Sequence, residues 1–255
     1  MKQTIKEIKQ LLSDEDSLSE EVLEQLSSDE RKGVQTALKS WYSRKKKAQA
    51  LEEKFQLMMQ YENKARQAGY EYIAGIDEVG RGPLAGPVVT AAVILPEGIQ
   101  LQGINDSKQL NEQEKEYWFE RIHNEALSVS TSVLSAEVID RVNIYEATRL
   151  SMKDAVENLS VKPEMLLIDA MQIDSRIPQK KIIKGDAKSI SIAAASIIAK
   201  VTRDRLMGQY DEIYPGYGFA QNAGYGTKQH LEGLDKQGPS PIHRRSFKPV
   251  SNFFK

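Results

Sequence analysis

Apolar positions along this chain change their period near residue 69. Up to that point they recur every third or fourth residue. Ile5, Ile8 and Leu11 form one series, Leu18, Val22, Leu23 and Leu26 a second, and Val34, Leu38, Trp41, Ala48, Leu51, Phe55 and Met58 a third. That spacing gathers apolar side chains on one face of a helix, so three helices are predicted, the third amphipathic throughout. Ser17-x-x-Glu20 and Ser27-x-x-Glu30 have the spacing at which a hydroxyl and a carboxylate satisfy free backbone N–H groups at a helix start. They predict where the second and third helices open.

From residue 70 the pattern is that of alternating strands and helices. Strands are predicted over 70–76, 88–95, 127–134, 165–168 and 181–184, each short, apolar or alternating, and bounded by turn residues. Helices are predicted over 111–126, 136–142, 145–159, 188–207 and 228–235. The helix at 188–207 is dense in Ala, Ile and Ser, small enough on one face to pack tightly on a sheet. Loops rich in Gly and Tyr, at 214–218 and 224–227, precede a basic tail with His243-Arg244-Arg245. No internal repeat interrupts this order. The expected organisation is a helical extension over 1–68 and an α/β domain over 69–255, with a loop-rich segment from about 208 onward.

Composition narrows the class. The 255 residues suit one large domain with an appendage, and 40% apolar residues can supply a core. With no cysteine, disulfides and thiolate metal sites are excluded, which fits a reducing compartment. No signal-peptide pattern opens the chain, and the most apolar helix candidate, 190–199, falls far short of the ~20 residues of a membrane span. A cytoplasmic protein without membrane contact is expected.

Thirty-five basic residues against 36 acidic ones leave a formal charge of −1, so any affinity for nucleic acid must come from where the charge lies. It is segregated in the amino-terminal arm. Residues 14–30 hold eight acids and no base, and residues 31–47 seven bases and no acid. The run Arg44-Lys45-Lys46-Lys47 reads either as a solvated helix face or as a patch that tracks phosphates.

The chemistry-bearing stretch is Gly75-Ile76-Asp77-Glu78-Val79-Gly80-Arg81-Gly82. Pro83 and Pro87 lead into a strand, not a helix, so the string Gly80-x-Gly82-x-x-Ala85 is no dinucleotide fingerprint. Neighbouring strand residues point to opposite faces. Asp77 and Glu78 can therefore share a site only where the strand ends or bends, and Gly80 and Gly82 make a bend plausible. Asp169 and Asp186 likewise follow predicted core strands. In an open α/β sheet, ligand sites gather at the carboxyl edge of the strands. Acids delivered there from three strand ends make an oxygen-only cage for hard divalent cations. Two such ions ~4 Å apart can activate water and stabilise a leaving oxygen in phosphodiester hydrolysis. The plain alternative is that Asp169 and Asp186 cap turns.

Taken together, these motifs resemble the bacterial ribonuclease HII family. The residues that carry the likeness are the 75–82 stretch, Asn105-Asp106-Ser107-Lys108, Leu167-Ile168-Asp169, Lys184-Gly185-Asp186-Ala187-Lys188-Ser189, Ala194-Ala195-Ser196-Ile197-Ile198-Ala199-Lys200 and Gly224-Tyr225-Gly226-Thr227. The resemblance spans about 70–250. It implies a ribonuclease H-like α/β fold, a mixed five-stranded sheet with helices on both faces. It implies a monomeric endonuclease that cuts RNA in RNA–DNA hybrids and incises 5′ of single ribonucleotides embedded in DNA, leaving 5′-phosphates, in ribonucleotide excision repair and RNA primer removal. Mn²⁺ or Mg²⁺ is the implied cofactor, held by Asp77, Glu78, Asp169 and Asp186. Gly80, Arg81 and Gly82 match the motif that senses a ribose 2′-OH, and Tyr225 the tyrosine that stacks on the next deoxyribose. Asn105, Ser107, Lys108 and Lys184 are further expected substrate contacts. Val79-Gly80-Arg81-Gly82 and the helical arm separate the chain from the sister ribonuclease HIII pattern. To residues 1–68 the resemblance assigns no function.

Two features agree with this on physical grounds. The 2′-OH is what distinguishes RNA from DNA, and glycine backbone beside the acids can approach a sugar closely. A tyrosine offers a flat face to a sugar lacking the polar hydroxyl. His123, His230 and His243 have no ligand spacing and are expected to be structural. The alternatives are a noncatalytic nucleic-acid-binding module with structural acids, and a phosphatase or nucleotidyl transferase on the same cage. The last lacks a triphosphate-cradling loop.

Overall fold

A computed structural model describes residues 3–14, 18–104, 107 and 110–254. The chain divides into two compact units, Met1–Gln56 and Leu57–Lys255.

The first unit is helical. Helix α1 is Ile5–Asp14, α2 is Glu20–Ser27, and α3, Lys32–Met58, begins here and runs on past residue 56. Ile8, Leu12, Leu26, Val34, Leu38 and Trp41 form its core. Ser19, not Ser17, caps α2 by accepting from the Val22 N–H at 3.4 Å; Ser17 itself lies outside the described residues. The expected start of α3 at Ser27 is also displaced. Ser27 ends α2, and its hydroxyl donates back to the Leu23 carbonyl at 2.7 Å. Helix α3 is not amphipathic throughout either. Val34, Leu38, Trp41, Phe55 and Met58 are buried, but Ala48 and Leu51 are exposed. Its middle turns have no core to face, so their apolar residues count for little.

The second unit opens with α4, Gln60–Gln67, and builds on a five-stranded sheet. Its strands are β1 (Ile73–Val79), β2 (Val88–Ile94), β3 (Ser128–Leu134), β4 (Met165–Asp169) and β5 (Gln179–Ile182), in the order β3-β2-β1-β4-β5. Strand β1 is antiparallel to β2 and parallel to β4, so the sheet is mixed. Helices α5 (Glu112–Glu125), α6 (Ala136–Val142), α7 (Ile144–Glu157), α8 (Ile190–Ile213), α9 (Phe219–Asn222) and α10 (Lys228–Gln237) complete it. Asn111 opens α5 with a reciprocal cap, accepting from the Glu114 N–H while Glu114 accepts from the Asn111 N–H, both at 2.9 Å.

Alternation along β1 sorts the two faces. Ala74 and Ile76 join Ala92, Ile94, Leu166 and Ile168 in a core that takes in Met152 and Ala155 of α7. Ile73 joins Leu167, Ile182 and Ile192 of α8 on the other face. Gly75 belongs to that second face, where a Cβ would lie 2.1 Å from the Ser191 main chain. Only glycine lets the start of α8 press on β1 this closely. That start is also fixed by a buried carboxylate: Glu62 of α4 accepts from the Ser189 and Ser191 hydroxyls, both at 2.6 Å, and from the Ser191 N–H at 3.0 Å. An acid placed against the free N–H groups of a helix start is favourably disposed toward them. Among the described residues no helix is long and apolar enough to cross a membrane.

Candidate active site

The acids meet at the open flank of β1. Register pairs Gly75 with Leu167 and Ile76 with Ile168, which brings Asp77 level with Asp169, the last residue of β4. Both belong to the α8 face by alternation. Glu78 would point the other way, and it is still inside β1, paired to Thr90 of β2. Its neighbour β4 has already ended, however, and around that open end its longer side chain rejoins the others. Carboxylate oxygens of Asp77, Glu78 and Asp169 lie within 4.8 Å of one another. The expectation that the two adjacent acids need a strand end holds for the β4 side only; toward β2 the strand continues through Val79.

Several contacts hold this arrangement. Asp77 Oδ1 accepts from the Glu78 N–H at 2.8 Å, which turns the carboxylate back along the strand. The Ser196 hydroxyl of α8 also donates to Asp77, and Ser107 joins Ser196 at 3.1 Å. Asp169 Oδ1 accepts from the Gly185 N–H at 2.6 Å. Arg81 stands 3.5 Å from Glu78, with its side chain largely in solvent.

Asp77 is buried, and its carboxyl is pushed well above the usual carboxylate range, first by burial and then by the charges of Glu78 and Asp169. Three acids crowded this way repel each other. The donor set is oxygen only, which suits a hard divalent cation whose charge would offset both burial and repulsion. The residues therefore fit such an ion.

Not every expected site residue joins this group. Strand β5 ends at Ile182, two residues earlier than its sequence suggests. Lys184 then takes the left-handed conformation (φ +57°), and Asp186 sits buried on the short 3₁₀ turn Gly185–Ala187. Asp186 is outside the trio, and its turn is tied to it through Gly185. Lys184 is exposed, and Ser107 is buried against Ser196, where it supports Asp77 through that hydroxyl. Asn105 and Lys108 lie outside the described residues. Gly80 is buried with φ +93°, whereas Arg81 and Gly82 are exposed. Tyr225 is 48% exposed, and a Cβ built on Gly82 would sit 3.5 Å from its ring. The Gly80-Arg81-Gly82 loop and Tyr225 are thus brought together from opposite ends of the unit.

Sequence reasoning missed the supports beneath Tyr225. His230 donates from Nδ1 to the Tyr225 carbonyl at 2.9 Å, and its Nε2 meets His243 Nε2 at 3.0 Å. His243 Nδ1 accepts from the Ser240 N–H at 2.9 Å and faces its hydroxyl at 2.8 Å. The network assigns one proton to each ring, on His230 Nδ1 and on His243 Nε2. Burial pushes both imidazoles down, and with His230 nearby His243 falls to about 4. His230 and His243 are structural, as their lack of ligand spacing predicts, but nothing in that spacing shows that they bond each other.

Comparison with known proteins gives a consistent result. The family model described as Ribonuclease HII matches residues 74–250, and the one described as Ribonuclease HII N-terminal domain matches residues 4–66. The arm that resemblance left without a role thus has a counterpart in the same family. A Ribonuclease HII of Ligilactobacillus salivarius is 56% identical over 249 residues, covering 98% of this chain and 97% of that protein. One from Bacillus anthracis is 54% identical over 254 residues, covering 100% of this chain and 99% of that protein. Among solved structures, the ribonuclease H2 of Pyrococcus horikoshii OT3 superposes with a TM-score of 0.63 at 26% identity, over 71% of this chain and 96% of that one.

Proposed function

Because the chain belongs to the ribonuclease HII family, and is thereby a ribonuclease H, we propose that it cuts RNA–DNA duplexes internally and incises 5′ of single ribonucleotides embedded in DNA. Family membership as an enzyme sets aside the noncatalytic binding module. The observation that carries the finer reading is the convergence of Asp77, Glu78 and Asp169 within 4.8 Å. These three would hold divalent cations, Mg²⁺ or Mn²⁺, with Asp186 as a fourth ligand on the turn tied to Asp169. Bound there, two such ions would supply an activated water and charge stabilisation for the leaving oxygen.

The chain's own residues prepare that site. Ser196 and the Glu78 N–H fix the Asp77 carboxylate in one orientation, so little reordering is needed when substrate arrives. The exposed Arg81 and Gly82 backbone offers N–H donors to a ribose 2′-OH, and the Tyr225 ring beside them a flat surface for the following deoxyribose. That pairing selects a ribonucleotide followed by DNA, the junction met in misincorporated ribonucleotides and at the ends of RNA primers. Lys184, exposed on the turn before Asp186, would meet a phosphate.

The test is direct. A duplex carrying one ribonucleotide is incubated with the protein and Mg²⁺ or Mn²⁺, and the cut is mapped. A nick 5′ of the ribonucleotide is expected. In Asp77→Asn the cage keeps its shape but loses a charge, so hydrolysis should fall by orders of magnitude while duplex binding persists. Near-normal cleavage by Asp77→Asn at saturating Mg²⁺ overturns the assignment.

A further inference from the structure

Two arginines, Arg203 of α8 and Arg244 of the carboxy-terminal segment, are completely buried. Among the described residues, every hydrogen-bond acceptor they meet is a main-chain carbonyl. Arg203 donates to Pro87 (2.9 Å), Ala223 (2.8 Å) and Ala85 (3.2 Å). Arg244 donates to Arg81 (2.9 Å), to Gly86 (2.9 and 3.1 Å) and, at shorter range, to Gly80. Burial brings Arg203 to about 10, and burial with the Arg203 charge nearby brings Arg244 to about 9, so both remain cations at neutral pH.

A buried guanidinium whose hydrogen bonds all go to carbonyl dipoles is costly. Its five donors in a rigid fork, in exchange, orient several carbonyls at once. The 80–87 loop is the object of that orientation. Two of its glycines leave room for the Arg203 guanidinium: a Cβ on Gly80 would lie 2.3 Å from Arg203 Nε, and one on Gly86 would lie 3.2 Å from Arg203 Nη2.

The peptide unit is planar and trans, so a carbonyl and the N–H of the following residue point in opposite directions. Carbonyls 80 and 81 are drawn inward to Arg244, which turns the N–H groups of Arg81 and Gly82 outward. Those are the exposed positions beside Tyr225. We propose that Arg244 is a positioning residue for ribose recognition: by holding the Gly80 and Arg81 carbonyls it aims the Arg81 and Gly82 N–H groups at the substrate 2′-OH. The proposal rests on the reading of Gly80-Arg81-Gly82 given above and extends it to a residue that touches no substrate. Arg203, which holds carbonyls 85, 87 and 223, supports the same loop without setting those two peptides.

The test is a binding cycle. In an Asp77→Asn background, which blocks cleavage, affinity is measured for a duplex with one ribonucleotide and for its all-deoxy counterpart. The parent should prefer the ribonucleotide by about fivefold or more, the scale of one hydrogen bond. Arg244→Lys keeps a charge but lacks the fork, and should bring the preference to within twofold of unity. Arg203→Lys should leave it largely intact. If Arg244→Lys gives no cooperative melt, Arg244→Gln, which buries no charge, carries the same expectation. A preference that survives in Arg244→Lys or Arg244→Gln overturns the proposal while leaving the loop reading standing. Equal loss in Arg203→Lys, or failure of both Arg244 variants to fold, reduces Arg244 to a general structural residue. A parent without any preference removes the loop reading and the proposal together.

Discussion

The paired histidines beneath Tyr225 make the carboxy-terminal part of the second unit sensitive to mild acid. His243 is buried, packed at a tilt against Tyr217 (4.9 Å between centroids), and held neutral with its titration at about 4. In the unfolded chain it titrates near ~6.5. The folded value is the lower one, so as pH falls the unfolded state takes up the proton first. The stabilisation is therefore complete above ~6.5 and is lost as pH falls toward about 4. Between pH 7.5 and pH 5 the full shift corresponds to about 2 kcal/mol, and partial solvent screening reduces this to about 1–2 kcal/mol. His230 adds in the same direction. In thermal unfolding that amounts to roughly 2–8 °C for a unit of this size. Carboxylates titrate in the same interval, so the informative quantity is a difference. His243→Phe keeps an aromatic ring beside Tyr217 but cannot titrate. It should lower stability by about 1–3 kcal/mol at pH 7.5, because His230 Nε2 loses its donor, yet flatten the decline between pH 7.5 and pH 5 by about 1 kcal/mol or more. If His243→Phe and the unsubstituted chain lose the same stability over that interval, the neutral-pair account is wrong.

Three further outcomes are expected. Tyr225→Ala should lower kcat/KM on a single embedded ribonucleotide by ~5-fold or more relative to an all-RNA hybrid, given ~1–3 kcal/mol for a stacked ring, and Tyr225→Phe much less; equal loss on both substrates would make Tyr225 a general binding residue. Replacing Arg44, Lys45, Lys46 and Lys47 by Gln should flatten the dependence of log K on log salt by up to about 0.9 per lost phosphate contact without moving the cut. Because Arg44 also donates to the Leu12 carbonyl at 2.5 Å, its share of the change should be read against a melt of the variant, and an unchanged slope returns the run to a solvated face. Gly75→Ala should cost about 1–3 kcal/mol or more by forcing α8 off β1, and a wild-type melting temperature would show that the contact yields freely.

Much of this architecture is legible in the sequence. The strand and helix order from 70 onward followed from periodicity, because long amphipathic or alternating runs leave little choice of conformation. Ala136–Val142 agrees residue for residue with its prediction, capped by Ser135. Boundaries moved where local signals competed. Strand β1 continues to Val79 because β2 supplies partners past Ile76, a tertiary fact invisible in the run itself. The acids were legible as a set through their position type, and three of them meet; Asp186 stands apart because β5 stops early. Arg203 had left a trace. It continues the four-residue ladder Ala195, Ala199, Met207 along the buried stripe of α8, where a charge demands an explanation. Arg244 left none, since its partners lie far back in the chain and nothing beside it in sequence marks it as buried.

That remoteness has a bearing on how the 80–87 loop is held. The contacts from Arg244 to Gly80 and Gly86 close segments 164 and 158 positions long. Each doubling of such a separation adds only about 0.6 kcal/mol of closure cost, so length alone does not set these contacts apart. The Asp77–Asp169 neighbourhood also spans much of the chain, but it is written into the pairing of two central strands. The 80–87 loop depends instead on an irregular segment that holds it through the Arg244 side chain and two main-chain hydrogen bonds, Gly86 N–H to the Ile242 carbonyl and Arg244 N–H to the Leu84 carbonyl, both at 2.9 Å. The carboxylates proposed to hold metal and the backbone proposed to read the sugar are therefore fixed by different kinds of long-range contact. In any partial opening of residues 239–250, the Gly80 and Arg81 carbonyls lose their Arg244 donors while Arg203 keeps its hold on carbonyls 85 and 87 and the strands that carry Asp77 and Asp169 stay paired.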